Sequence, residues 1–92
     1  MRLRFTRTAA RQLDRILAEI ATQSPGGARN VQARIQAVMQ LLLQYPYIGR
    51  ATGRPGIRRV VVWPYPYLLT YRVGNVEIVI RTVRHGARRP LP

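Results

Sequence analysis

Residues 67–83 read YLLTYRVGNVEIVIRTV, and this stretch decides the fold. β-Branched and aromatic residues alternate with polar ones on both sides of Gly74-Asn75, which is the period of a strand. The Gly-Asn pair is typical of a two-residue hairpin turn, in which φ is positive. The stretch therefore predicts two antiparallel strands, 67–73 and 76–83, joined by a tight turn.

Two further strands are predicted upstream of this hairpin. The period of two begins at residues 57–63, after a loop over residues 47–56 that is rich in glycine and proline. Pro64 and Pro66 make the connection to the hairpin a stiff turn. Residues 2–5, RLRF, alternate in the same way and predict a short strand at the start of the chain.

Two amphipathic helices are predicted between the first strand and the loop. The first follows an N-cap at Thr6 or Thr8 and ends at the breaker SPGG, residues 24–27. The second runs to Gln44, because a residue next to Pro46 leaves the helical region. The apolar residues that share one face are Leu13, Ile16, Leu17 and Ile20 in the first helix and Val31, Ile35, Val38, Met39 and Leu42 in the second.

The element order β-α-α-β-β-β predicts an α+β fold, in which a helical hairpin packs on one face of a small, mainly antiparallel sheet. Hydrophobic residues make up 47% of the chain, enough for a packed core. At 92 residues there is room for a single domain, residues 1–92, which ends in a basic tail over residues 84–92.

The charge of the chain is the strongest sign of what it binds. Sixteen basic residues, all arginine, face three acidic ones, for a formal net charge of +13. We therefore expect a polyanionic partner, which is DNA, RNA or an acidic protein segment. The absence of cysteine excludes thiol catalysis and cysteine-bound zinc, and with one histidine we expect no metal or other cofactor. No apolar run approaches the ~18 residues of a membrane span, and no secretory signal follows Met1, so we expect a cytoplasmic protein.

Strand alternation assigns the side chains of the predicted sheet to two faces. The residues expected under the helices are Tyr67, Leu69, Tyr71, Val73, Val76, Ile78 and Ile80. The residues expected on the open face are Thr70, Arg72, Glu77, Val79, Arg81, Val83 and His85, with one of Arg58 and Arg59. In a functional interpretation, the clustered guanidinium groups bind a phosphate, and the imidazole of His85 transfers a proton. In the other interpretation, Glu77 pairs with Arg72 or Arg81, and the face is an ordinary exposed surface. Both interpretations stay open here.

Two other sets of residues are candidate contact surfaces. Trp63 and Tyr65 lie in the predicted turn with two prolines, where aromatic rings can meet a partner such as a nucleobase. A stripe of like charge runs along the first helix at the spacing i, i+4, i+8, and it is either a partner surface or a solvated face. This stripe consists of Arg7, Arg11 and Arg15.

Short motifs occur in a consistent order along the chain. They are Phe5-Thr6 with Ala9-Ala10, Leu13 and Ile16; Pro46-Tyr47-Ile48-Gly49; Gly56-Ile57-Arg58; Tyr67-Leu68-Leu69-Thr70-Tyr71-Arg72-Val73; and Val83-Arg84-His85-Gly86-Ala87-Arg88. Together they cover nearly the whole chain and resemble the RelE/ParE superfamily of toxins from type II toxin–antitoxin systems. Gln12 stands where many members have aspartate, which predicts a neutral surface change.

The resemblance implies the toxin half of a pair, held in a hetero-oligomer by a cognate acidic antitoxin that wraps and silences it. ParE-like members poison DNA gyrase, whereas RelE-like members are ribosome-dependent mRNA endonucleases that typically use a lysine-rich patch, an arginine at the strand turn, and an arginine or tyrosine near the C-terminus. This chain has no lysine, has Trp63-Pro64 at that turn and has no tyrosine after Tyr71. We therefore expect a ParE-like gyrase poison of the plasmid-stabilisation type. The alternatives are a RelE-like endonuclease and a non-toxic, arginine-rich nucleic-acid-binding module.

Each interpretation assigns its own residues. An endonuclease would use His85 as the proton carrier, with Arg58, Arg59 and Arg81 on the phosphate. The expected contacts with the target, or with nucleic acid, are Trp63, Tyr65, Arg72, Arg84 and Arg88. The expected contacts with the antitoxin are the arginine stripe of the first helix.

Overall fold

The computed structural model describes residues 1–86, which form two helices and five strands. In chain order the elements are β1 (Arg2–Phe5), α1 (Arg7–Gln23), α2 (Pro25–Gln44), β2 (Arg50–Ala51), β3 (Ile57–Val61), β4 (Tyr67–Val73) and β5 (Glu77–His85). The strands form one sheet in the order β1-β5-β4-β3-β2, in which β1 is parallel to β5 and the other neighbours are antiparallel. The predicted α+β fold with a mainly antiparallel sheet is confirmed.

The N-caps of the two helices are side-chain oxygens. Thr6, and not Thr8, caps α1, because its Oγ1 accepts a hydrogen bond of 3.0 Å from a backbone N–H of the first turn. Ser24 caps α2 in the same way, since its Oγ accepts a hydrogen bond of 2.9 Å from the Gly27 N–H. Pro25 begins α2 at a position where no backbone N–H is needed. The breaker between the helices thus becomes the start of the second helix.

The core lies between the helical hairpin and one face of the sheet. Its buried residues are Ala9 of α1, Val31, Ile35, Val38 and Leu42 of α2, Val62 after β3, and Leu69, Tyr71, Ile78, Ile80 and Val83 of the sheet. The predicted apolar face of α1 packs against this cluster while staying partly exposed. The burial of Leu69, Tyr71, Ile78 and Ile80 under the helices agrees with the predicted alternation. The predicted burial of Val76 is wrong, because this residue lies in the turn before β5 and is exposed.

The turn between β4 and β5 differs from the prediction. The Gly74 N–H donates a hydrogen bond of 2.8 Å to the Glu77 carbonyl oxygen, so the turn encloses Asn75 and Val76. Within residues 1–86 the only positive φ is that of Gly56, 77°, where the chain enters β3. The predicted positive φ at Gly74-Asn75 is wrong, because strand pairing continues past the end of β4 and moves the turn one residue onward.

The ends of the other strands also differ. Two residues of the predicted loop, residues 47–56, form β2, which pairs with β3 and adds a fifth strand. The strand β3 ends at Val61, so Trp63 belongs to the turn. The strand β5 continues to His85, two residues beyond the prediction, because it pairs with β4 as far as Tyr67.

A β-bulge in β5 changes which side chains share a face. Thr70 pairs with Thr82 and Tyr71 pairs with Ile80, so Arg81 is an extra residue without a partner in β4. One extra residue shifts the alternation by one, and the side chains beyond it exchange faces. The residues after Arg81 therefore lie opposite to where simple alternation places them.

The predicted position of Val83 and His85 on the open face is wrong for this reason. Val83 lies opposite Leu69 and is buried in the core. His85 lies opposite Tyr67, and their rings meet edge to face with centroids 5.4 Å apart. No pattern in the sequence marks the bulge, and alternation alone fails at this point.

Tyr71 connects the sheet to the end of α2. Its hydroxyl donates a hydrogen bond of 2.8 Å to the Pro46 carbonyl oxygen and accepts one of 2.9 Å from the Gly49 N–H. Glycine is required at position 49, since a Cβ there would lie 2.6 Å from Tyr71 Oη and 2.8 Å from the Arg59 carbonyl oxygen. Burial raises the pKa of Tyr71 above the ordinary value of 10.0, and the Gly49 hydrogen bond and the charge of Arg58 offset this only in part.

Replacing Tyr71 with phenylalanine is expected to lower the free energy of unfolding by about 1–3 kcal/mol, because the buried Gly49 N–H loses its partner. The effect should depend on pH. Above pH 10.0 an unfolded tyrosine releases its proton while the folded Tyr71, with its raised pKa, keeps it. The difference in the free energy of unfolding between the unchanged chain and Tyr71→Phe should therefore shrink as pH rises through the raised pKa of Tyr71.

Denaturant unfolding at neutral and alkaline pH measures this difference. Tyr45→Phe is the matched control, since Tyr45 is exposed and should show no such effect. If the difference in the free energy of unfolding between the unchanged chain and Tyr71→Phe stayed constant up to strongly alkaline pH, this would contradict the claim that burial raises the pKa of Tyr71.

Candidate functional site

A groove of about 940 Å³ lies along the open face of the sheet and extends to the end of β5, where Val83 and His85 of the covered face also line it. Its walls come from the first half of α1, the loop after β2, and the strands β3, β4 and β5. The polar lining consists mostly of arginines, Arg15, Arg54, Arg59, Arg81 and Arg84, and of threonines, Thr6, Thr8, Thr52, Thr70 and Thr82. We call this surface the arginine groove.

The bulge in β5 places Arg81 at the groove. A bulged residue leaves the regular alternation, and bulges commonly re-aim a side chain at a functional site. The Arg81 carbonyl oxygen accepts a hydrogen bond of 3.2 Å from the Thr6 hydroxyl, and the Thr6 N–H donates one of 2.9 Å to the Ile80 carbonyl oxygen. Because Thr6 also caps α1, the start of the helix is tied to the bulge, and the helix forms one wall of the groove.

Gln12 covers the edge of β5 beside the groove. The strand β1 pairs with β5 only as far as Ile80. Farther along, the Val83 N–H donates a hydrogen bond of 2.8 Å to Gln12 Oε1. Gln12 thus binds a backbone donor that an added strand would otherwise use. Gln12 is therefore not a free surface side chain, which helix spacing does not reveal, and the neutrality of glutamine in place of aspartate here stays a prediction.

Three of the four predicted catalytic residues line the groove, namely Arg59, Arg81 and His85. Arg59 lies opposite Thr70 and is therefore the arginine of β3 that joins the open face. Arg58 lies opposite Tyr71 on the helix-covered face and does not line the groove. The structure separates the two neighbouring arginines because successive residues of a strand point to opposite faces.

The Arg58 guanidinium has a role in the fold. Its Nη1 donates hydrogen bonds to the carbonyl oxygens of Gly49, at 2.8 Å, and Tyr47, at 3.3 Å. Its Cζ also lies 5.2 Å from the centroid of the Tyr47 ring, within the range of a cation–π contact. These contacts fix the segment between α2 and β2 against β3.

His85 lies at one end of the groove. Its Nδ1 is buried and has no hydrogen-bond partner among residues 1–86, and its ring packs against Tyr67. Of the three acidic side chains in the chain, none belongs to the lining that the structure describes. In the described part of the groove, His85 is thus the only imidazole, the kind of side chain that most often transfers protons in catalysis.

Glu77 is bound at the far edge of the sheet. Arg4 Nε donates to both carboxylate oxygens of Glu77 at 3.1 Å, because the parallel pairing of β1 with β5 places these side chains together. This ion pair replaces the one considered with Arg72 or Arg81. The open face near the groove therefore keeps its positive charge without a neighbouring carboxylate.

Two kinds of site are missing from residues 1–86. No group of three or more histidine, aspartate or glutamate side chains in this part of the chain is placed to hold a metal ion. Of the two helices described, neither is long and apolar enough to cross a membrane.

The residues predicted to contact the target lie in different places. Arg84 lines the arginine groove, whereas Arg72 is exposed outside it. Trp63 is 71% exposed, and Tyr65 packs against the core. Arg88 lies outside the described residues.

The arginine stripe of α1 is exposed along its whole length. Its last member, Arg15, also lines the arginine groove, so the stripe runs toward the groove. Arg54, which no motif in the sequence singles out, lines the groove from the loop after β2. Its position follows from how the loop folds over the sheet, and no spacing signal in the sequence indicates it.

Comparison with known proteins agrees with this fold and these motifs. The family model described as ParE toxin of type II toxin-antitoxin system, parDE, matches residues 3–90. A protein of Sinorhizobium fredii (strain NBRC 101917 / NGR234) named "Putative toxin Y4kP" is 39% identical over 89 residues, which cover 92% of this chain and 88% of that protein. A solved structure titled "Chromosomal ParDE TA system from P. aeruginosa" matches with a TM-score of 0.81 and 28% identity, over 92% of this chain and 95% of that one. The chain belongs to the ParE family of toxins from type II toxin–antitoxin systems.

Proposed function

We propose that this toxin acts in the cytoplasm, where it stops growth by poisoning DNA gyrase and is neutralised by an acidic antitoxin. The observation that carries the proposal is the ParE family membership of the chain, which extends over residues 3–90. The chemistry of the arginine groove supports the same choice, because it is poorly suited to the competing endonuclease reaction.

Cleavage of a phosphodiester needs a base, an acid and groups that stabilise developing negative charge. The arginines of the groove can supply charge stabilisation. Proton transfer would rest on His85, whose Nδ1 is buried without a partner among residues 1–86 and whose ring is packed on Tyr67. A second proton carrier is missing from the described lining, and Arg58 is bound to backbone carbonyls on the other face. This arrangement favours a protein that inhibits by binding over one that cuts RNA.

The antitoxin partner is proposed from charge and from the solved relative. The P. aeruginosa structure is of a ParDE toxin–antitoxin system. This chain carries a net charge of +13, so the segment that binds it should be acidic. Such a segment is expected to be disordered when free and to fold on the toxin, which requires a large and partly apolar interface.

Purified gyrase tests the target. The toxin is expected to inhibit supercoiling of relaxed plasmid and to leave ribosome-bound mRNA intact. His85→Gln keeps the size and hydrogen-bonding capacity of the side chain but cannot carry a proton, so it should inhibit gyrase as the unchanged chain does. Ribosome-dependent mRNA cuts that disappear in His85→Gln would contradict the proposal and establish the endonuclease activity instead.

A further inference from the structure

We propose that the free toxin associates with a second copy of itself along the outer edge of β3. The contact surface is an exposed apolar patch at the place where α2 passes this edge. We call this patch the apolar rim, and it consists of Leu41, Tyr45, Ile48, Val61 and Trp63. The association involves the toxin alone, without gyrase or antitoxin, and therefore goes beyond the proposed function.

The residues of the apolar rim are brought together by α2 and the edge of the sheet. Arg34 shows which face of α2 meets this edge, because its Nε donates a hydrogen bond to the Trp63 carbonyl oxygen. The spacing from Arg34 to Leu41 and to Tyr45 is close to whole helical turns, so all three lie on this face. The Ile48 N–H donates a hydrogen bond of 3.1 Å to the Tyr45 carbonyl oxygen, which folds Ile48 back beside the end of the helix. Of the eight large hydrophobic side chains that are exposed in the described part of the chain, the rim contains five.

The backbone of Val61 is free on the outer side of β3. The Val62 N–H donates a hydrogen bond of 2.9 Å to the Tyr67 carbonyl oxygen, so Val61, the neighbour of Val62, turns its N–H and C=O away from β4. On the outer side β2 pairs with β3 only at Arg58 and Arg59, and no hydrogen bond joins the backbone of Val61 to another described residue there. A free strand edge is a template for pairing with another chain.

The other edges of the sheet are protected against such pairing. The opposite edge is β1, which carries Arg2 and Arg4, and charged side chains oppose pairing. Beyond the end of β1, the Val83 N–H of β5 is bound to Gln12. The outer edge of β2 is only two residues long. The free backbone groups of Val61, in contrast, lie among exposed apolar side chains, which is the kind of edge that pairs with another strand.

The distribution of charge favours a second copy over an acidic partner at the apolar rim. Arg34 and Arg58 adjoin the rim, and both are bound to carbonyl oxygens of their own chain. The exposed arginines that would attract an acidic segment are concentrated in the arginine groove and on α1, which packs on β5 and β1. Because β1 and β3 are separated by two strands, about 14 Å divide them, which exceeds the Debye length of about 8 Å. Contact at the rim therefore keeps the most basic sides of the two copies apart.

A two-fold axis beside Val61 makes this contact symmetric. Two β3 edges paired antiparallel let the Val61 N–H of each copy donate to the Val61 carbonyl oxygen of the other copy, and the same rim is then buried on both. Burial of the apolar side chains stabilises the pair, whereas the net charge of +13 on each copy opposes it. Salt screens the repulsion and leaves the apolar contact intact, so the association should strengthen as salt rises. Binding of an anion shows the opposite dependence.

Sedimentation velocity of the full chain, purified without antitoxin and treated with nuclease, tests the proposal over a series of protein concentrations. The unchanged chain is expected to form a dimer whose dissociation constant falls as salt is raised from about 50 to 500 mM. Val61→Pro removes the outward N–H and spares the pairing with β4, since proline is tolerated where the N–H of an edge strand faces solvent. Trp63→Ser removes the largest exposed side chain of the rim.

Each of these two variants should raise the dissociation constant of the dimer by about tenfold or more. Val76→Ser is the matched control, because Val76 is 68% exposed in the turn before β5, away from the rim, and it should leave the dissociation constant unchanged. Thermal melting checks that each variant is folded, and Trp63→Ser alone carries the test if Val61→Pro unfolds.

A chain that stays monomeric at every concentration and salt would overturn the proposal. A dimer that the rim variants and the control leave equally stable would place the contact elsewhere, and a dimer that weakens as salt rises would show an ionic contact; either result contradicts the apolar rim. Binding of poly-glutamate to a monomeric chain, lost in Trp63→Ser, would assign the rim to an acidic partner instead. The assay contains neither gyrase nor antitoxin, so a failure here leaves the proposed function standing, and the reverse also holds.

Discussion

Production of this chain without its antitoxin is expected to arrest growth and to reduce colony-forming cells by orders of magnitude. The reason is that a folded ParE-family toxin that has no antitoxin bound can reach and bind its target. Co-production of the cognate antitoxin should restore growth. Plating after induction, with soluble toxin verified in the same cultures, measures the effect.

The arrest should require the fold and not merely a basic chain. Ile35 is 2% exposed in the core, so Ile35→Asp buries a carboxylate and costs several kcal/mol out of a total stability of about 5–15 kcal/mol. This variant is expected to be harmless. Ala37→Asp adds the same charge at an exposed position of the same helix and should stay toxic. Normal growth with soluble, unchanged toxin, or arrest by Ile35→Asp at equal abundance, would contradict the expectation.

The fold was predictable because each element carries a local signal. The apolar positions of α2 recur with helical spacing, and four of the five predicted ones are fully buried. The strand period from residue 67 onward depends on side chains that alternate across the sheet, and it placed Leu69, Tyr71, Ile78 and Ile80 correctly. Such signals act over a few residues, so they are visible in a single sequence.

The site was harder to predict because it depends on one residue that breaks the alternation. The bulge at Arg81 arises from register between β4 and β5, which is a long-range property, and it moved Val83 and His85 to the covered face. The same holds for Gln12, whose partner is the Val83 N–H, 71 residues away in the chain. Composition did indicate an anionic ligand, but the convergence of Arg15, Arg54 and Arg59 could be known only from the structure.

Charge reversal along the arginine stripe of α1 is expected to slow association with the antitoxin by about 10–100-fold at low salt. The stripe is exposed along the helix, so its field is available to steer an acidic segment before contact is made. Arg7→Glu suits the helix dipole, because α1 has no acidic residue in its first turn, and thermal melting checks that the triple variant Arg7→Glu/Arg11→Glu/Arg15→Glu is folded. Surface binding at two salt concentrations gives both rate constants.

The association and dissociation rate constants report different parts of the interface. Long-range attraction between charges accelerates encounter and is screened by salt, whereas apolar contacts form only on docking and determine how long the complex lasts. In the stripe variant, the association rate constant should therefore fall by a much larger factor than the dissociation rate constant rises. Arg2→Glu/Arg29→Glu/Arg72→Glu changes the net charge by the same amount at exposed positions outside the stripe, and it should slow association less. Equal slowing by both variants would show that the whole charge of the molecule steers the antitoxin, and a complex that dissolves in moderate salt would show that no apolar contact holds it.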